Sequence, residues 1–237
     1  MAILELARKN YKFIFFPELQ YTTGKRILLR HDLEFSVPIA LKMAEIEAGL
    51  GIKATYLIQL HSDFYNILDG NNFQMVKKIQ ELGHQIGLHF DSHFWQINSE
   101  QELEKYLQID KNVLQTYFDF EPKVFSFHNT NAFILACERN FYAGMINVYS
   151  KSIKENIGYC SDSTGFWRYE ILEKRIRNGK DNFLQVLIHD GMWQEEVLPP
   201  RRRVYKVIDD QAAVLKKRYD KTLKKFGAKN IDWDEVI

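Results

Sequence analysis

The chain has 237 residues, 46% of them hydrophobic, with 32 basic and 31 acidic side chains and a formal charge of +1. It is long enough for one well-filled domain, expected to span residues 1–237, and has no global charge that would select nucleic acid or an anionic membrane as its partner. No apolar run approaches the roughly 20 residues of a membrane span, residues 1–20 lack a secretory cleavage pattern, and Cys137 and Cys160 alone make no disulfide scaffold, so a cytoplasmic setting is expected.

In chain order, short apolar or β-branched runs alternate with helical patterns, the mark of βα units around a parallel sheet. Residues 27–30 read as a buried strand that breaks off at His31-Asp32. Ser36 and Pro38 then open a helix with Ile39, Met43, Ile46 and Leu50 on one face, closed by Gly49 and Gly51. Residues 54–60 form the next strand, and a helix from about Asn72 carries Phe73, Val76, Ile79 and Leu82 to Gly83. Residues 84–89 alternate as a third strand, and a helix over 100–117 turns Leu103, Leu107, Leu114 and Tyr117 inward. Residues 124–127, 145–149, 157–160 and 183–188 complete about seven strands, and a helix over 209–226 would close the structure. No glycine-rich phosphate loop follows the first strand, so the expected fold is a distorted or incomplete (β/α) barrel rather than an open doubly wound sheet.

Metal-competent side chains collect where these strands run out, the end of a βα barrel that carries active sites. They are His31, Asp32 and Glu34, then His89, Asp91 and His93, then His128, Asp162, and His189 with Asp190. His89 and His93 stand four apart, a spacing at which two imidazoles can meet one ion, although two surface loop histidines are the commoner outcome. Two histidines and a carboxylate with open positions make a catalytic rather than a structural site, and Asp32 and Glu34 both qualify as the acid. His84 reads as structural, and the alternation of a strand turns His31 away from Asp32. His128 is a candidate for substrate contact or a satisfied core histidine. Trp95, Trp167 and Trp193 follow strand ends, where rings either stack on sugars or plug the barrel mouth. Arg201, Arg202, Arg203 and the lysines of 216–225 read as a solvated face that could also attract a phosphate.

Several of these stretches resemble motifs of the polysaccharide deacetylases, the NodB-type carbohydrate esterases. Residues 83–93, Gly-His-Gln-Ile-Gly-Leu-His-Phe-Asp-Ser-His, resemble the family's second motif, and His31-Asp32-Leu33-Glu34 resembles the His-Asp-Val-Asp variant of its first. Residues 186–190 resemble the last motif, a strand ending in Leu-His, and Asp162-Ser163 with Trp167 the penultimate one. The resemblance covers about 28–193.

It implies a NodB-like barrel and a hydrolase that removes N-acetyl groups from a sugar or glycan precursor, in surface polysaccharide biosynthesis. A divalent ion, zinc in this family, would be held by His89, His93 and Glu34. Asp32 would be the general base and His189 the general acid, oriented by Asp190 or Asp162. His128, Asp162, Trp167 and Trp193 would contact the substrate. Glu34 carries one methylene more than the aspartate usual there, so the two acids can exchange roles. The third motif reads Phe-Ser-Phe-His-Asn over 125–129, without its arginine. A non-catalytic carbohydrate-binding relative and a hydrolase of another C–N bond in a small amide are the competing readings.

Overall fold

The structure is a computed structural model that describes residues 1–167 and 170–233. Its elements run α1 (Ala2–Asn10), β1 (Lys12–Phe13), β2 (Arg26–Leu33), α2 (Val37–Gly49), β3 (Thr55–Ile58), α3 (Gly70–Glu81), β4 (Gln85–Asp91), α4 (Glu100–Phe118) and β5 (Val124–His128). They continue with α5 (Ala132–Ala136), β6 (Phe141–Tyr142), β7 (Met145–Asn147), α6 (Lys151–Asn156), β8 (Gly158–Ser161), α7 (Leu172–Asn178), β9 (Phe183–His189) and α8 (Pro200–Lys225). The strands form one curled sheet in the order β6-β7-β5-β4-β3-β2-β9-β8, with β1 beside the start of β2. Every pairing is parallel except β6 with β7. Helices surround the sheet, so the molecule is an incomplete (β/α) barrel as its alternating pattern predicts.

Side chains of the sheet divide by the two-residue alternation of each strand. Ile27, Leu29 and Leu33 of β2 join the large core under the helices, whereas Leu28 joins a smaller concave-side cluster with Leu57 and Val124. Gly87 of β4 sits among these: a Cβ there would lie 2.5 Å from both Leu57 Cδ2 and the Val124 carbonyl, so any side chain would force the strands apart. Small apolar residues thus plug the lower part of the curl, and the same strand faces carry Arg30, Asp32, His89, Ser126, His128 and His189 above the plug.

Helix starts follow their caps. Ser36, Asp69 and Ser99 accept backbone N–H bonds from Ile39, Asn71 and Glu102 at the starts of α2, α3 and α4. Four expectations shift. The first strand runs on to Leu33, so His31 and Asp32 are strand residues with ladder partners Tyr56 and Leu57 in β3. α2 buries Val37, Ala40, Ala44 and Glu47 instead of the bulkier 39, 43, 46 and 50 face. Alanines let the helix approach the sheet closely, while Ile39, Met43 and Ile46 line an apolar cavity of about 590 Å³ between α1, α2 and β2. Tyr117 is exposed and Phe118 takes the inward place. α8 begins at Pro200 and buries only Val207, lying over one end of the sheet instead of closing the barrel. Cys137 and Cys160 are buried free thiols. Among the described residues no helix is long and apolar enough to cross a membrane.

Candidate metal centre and active site

Three strands bring Glu34, His89 and His128 to one point. Glu34 Oε1 lies 3.1 Å from His89 Nε2 and 2.9 Å from His128 Nδ1, and the two ring nitrogens are 3.2 Å apart. Ligands about 2.0–2.1 Å from a tetrahedral zinc ion stand about 3.3 Å from one another, so these spacings match the edges of a coordination shell. Two imidazoles and one carboxylate are the donor set of a catalytic divalent site with positions left open. The residues therefore fit such an ion, and they are the group of metal-competent side chains that converges among the described residues.

Asp32 lies behind His89. Arg30, two residues earlier on the same face of β2, holds its carboxylate in a bidentate pair, Nε to Oδ1 at 2.9 Å and Nη2 to Oδ2 at 2.8 Å. Ser126 Oγ donates to Asp32 Oδ1 at 3.2 Å and stands 2.6 Å from His89 Nδ1. With its hydrogen on Nδ1, directed at Ser126 and the Asp32 oxygen 3.5 Å away, His89 turns the lone pair of Nε2 toward Glu34 and His128. Burial works to raise the pKa of Asp32, but the adjacent Arg30 and His89 outweigh it and hold the carboxyl below its usual value. Burial likewise opposes ionisation of Glu34, yet the hydrogen bond from His128 and the nearby charge of His189 hold it well below the carboxylate range.

On the β9 side, His189 Nε2 is 3.9 Å from Glu34 Oε1, and its Nδ1 is 2.7 Å from Asp162 Oδ1. Burial lowers the imidazole's affinity for a proton, but Asp162 and Glu34 raise it further, pushing the pKa up to about 9. His189 is therefore a cation at neutral pH. Trp193 Nε1 donates to the other Asp162 oxygen at 2.7 Å. Asp190 accepts the backbone N–H groups of Glu34, Phe35 and Ser36, which fixes the turn carrying Glu34 after β2.

The expected site residues thus distribute unevenly. Glu34, His89, Asp32 and His189 come together at one end of the sheet. His93 is not in the converging group: Asp91 Oδ1 accepts its N–H at 2.8 Å, turning the chain as β4 ends, and its Nε2 meets the Asn129 carbonyl at 2.6 Å. The spacing of four between His89 and His93 spans a strand end and a turn, so helical geometry does not apply. His128, expected on substrate, is the histidine that converges with Glu34 and His89. Asp162, also expected on substrate, is buried and committed to His189 and Trp193. Trp167 and Trp193 form an edge-to-face pair with centroids 6.4 Å apart beside His189. His31 turns to the opposite face and pairs with Glu47 under α2, and His84 bonds the Ala44 carbonyl, both structural.

Arg30 and Ser126 were not expected. Arg30 had a readable signal, since residues two apart on a strand share a face. Ser126 had none, because only the register of β4 against β5, His89 opposite Ser126, brings it there.

No family model matches the sequence, and no curated protein matches it. Among solved structures, the chain is similar to the peptidoglycan deacetylase PdaC from Bacillus subtilis (mutant D285S), with 14% identity over 85% of this chain and 96% of that one and a TM-score of 0.49. It is also similar to a family 4 carbohydrate esterase from Streptomyces lividans in complex with acetate, with 16% identity, 80% and 91% coverage and a TM-score of 0.48. The chitin deacetylase from the fungal pathogen Colletotrichum lindemuthianum is a third, with 14% identity, 80% and 83% coverage and a TM-score of 0.47.

Proposed function

We propose that the protein is a metal-dependent hydrolase that removes an acetyl group from an N-acetylated sugar or glycan precursor, in a cytoplasmic step of surface polysaccharide biosynthesis. The observation that carries this reading is the convergence of Glu34, His89 and His128 with a cationic His189 facing them 3.9 Å from Glu34. The order of the sequence motifs along the chain supports the same chemistry. Glu34, His89 and His128 would hold the ion, zinc by the donor set. When bound, such an ion supplies Lewis acidity toward the acetyl carbonyl and makes water acidic enough to attack at neutral pH.

The chain's own residues supply the proton transfers. Asp32, kept ionised by Arg30, would accept a proton from the attacking water. His189, charged and oriented by Asp162, gives its Nε2 proton to the departing amine nitrogen. Trp167 and Trp193, paired edge to face with Trp193 bonded to the Asp162 that holds His189, would offer ring faces to the sugar. Acetate release from chitooligosaccharides by metal-loaded protein, followed against chelator-treated protein, tests the reading. Release that depends on metal is the expected result, and undiminished release after complete metal removal overturns it.

A further inference from the structure

α8 presents a face that the other described residues leave largely exposed. Tyr205, Ile208, Ala212, Leu215, Tyr219 and Phe226 follow one another at spacings of three, four, three, four and seven, which keeps them on one side of the helix and its cap. Leu215, Tyr219 and Phe226 are 58%, 52% and 75% exposed. A different side holds the helix to the protein: Val207 is buried, Gln211 donates to the Phe35 carbonyl at 2.8 Å, and Arg218 pairs with Asp69. The same helix carries ten lysines and arginines against three aspartates, a net of +7 in a chain whose total is +1, so the remainder is at −6. Phe35 directly follows Glu34, and Asp69 caps α3 beyond the end of β3, so both anchors lie at the end of the sheet that bears the site.

We propose that α8 docks the protein on an anionic lipid surface and so holds the mouth of the site against it. A helix with an exposed apolar stripe and a cationic remainder suits the lipid interface, where apolar side chains enter the acyl boundary and lysines meet the headgroup charge. Charge selects this occupant over a second copy: symmetric pairing of the stripe would bring two +7 helices together. A nucleic acid would satisfy the charge and leave the stripe in water. The inference stands whatever reaction the site performs.

Flotation of the full chain with vesicles tests it without any turnover. Binding to vesicles of phosphatidylcholine mixed with phosphatidylglycerol should exceed binding to phosphatidylcholine alone at least ~10-fold, and the charge-reversed Lys217→Glu/Lys221→Glu protein should lose ~10-fold or more. Leu215→Glu/Tyr219→Glu should lose a similar factor, with the circular dichroism of both variants unchanged. Equal binding to neutral and anionic vesicles, or none, overturns the proposal. So does retention of vesicle binding by Leu215→Glu/Tyr219→Glu, which would leave charge alone as the cause and duplex DNA as an equal competitor. A dimer of the wild type that the same variant dissolves would assign the stripe to a second copy instead.

Discussion

Arg30 and Asp32, two positions apart on β2, form a bidentate ion pair with both side chains almost wholly buried beneath the cluster of Glu34, His89 and His128. The pair fixes the carboxylate behind His89 and keeps it charged, and the guanidinium itself lies 5.3 Å from the ring of Tyr149. Removing one partner strands the other charge in the interior. Arg30→Leu is expected to lower stability by about 3–5 kcal/mol, read as a fall in the denaturant midpoint, while Arg30→Leu/Asp32→Leu should recover a large part of that loss.

Metal affinity separates the two histidines that compete for the third ligand place. His128→Ala should weaken zinc binding by about 100-fold or more, and His93→Ala, which removes a ring bonded to a backbone carbonyl, by less than about 3-fold. Competition with a chromogenic chelator measures both. The reverse order would return His93 to the metal.

Asp32→Asn matches the carboxylate in size and removes the proton acceptor. A loss of about 10²–10⁴ in kcat is expected, with the zinc content of the purified protein unchanged. If metal and kcat fall together, Asp32 acts by positioning His89 and is not the base.

How much of this was legible in the sequence depends on which interaction decided each feature. The seven main strands, and the end of the sheet where metal-competent side chains collect, followed from alternating patterns and capping residues, which act within a few positions along the chain. Glu34 and His89 were legible as metal-competent residues because Glu34 directly follows β2 and His89 lies close to the end of β4. The spacing of His93 from His89, which suits a shared ion from a helical turn or a tight loop, spans the end of β4, where Asp91 turns the chain and His93 lies outside the converging group. His128 comes beside His89 and Glu34 through the pairing of β5 with β4, a long-range contact with no local signature. The buried face of α2 misled for a similar reason: closeness of approach favoured Ala40 and Ala44 over larger apolar neighbours.

The stability of metal-free protein should fall as pH rises through the upper range. His189 titrates near 6.5 when unfolded and at about 9 when folded beside Asp162. Its contribution is fully present below pH 6.5 and is lost as pH climbs through about 9, up to about 3 kcal/mol in all. Denaturant midpoints measured across that window should show the slope in the wild type and a much flatter one in His189→Gln. Equal slopes in the two proteins would assign the pH dependence elsewhere.

The convergence of three ligands is tested most directly by zinc-edge anomalous scattering from crystals of the metal-loaded protein. One peak is expected, within bonding distance of Glu34, His89 Nε2 and His128 Nδ1. A peak bound by His93 in place of His128, or no peak among these side chains in protein that releases acetate, would contradict the account.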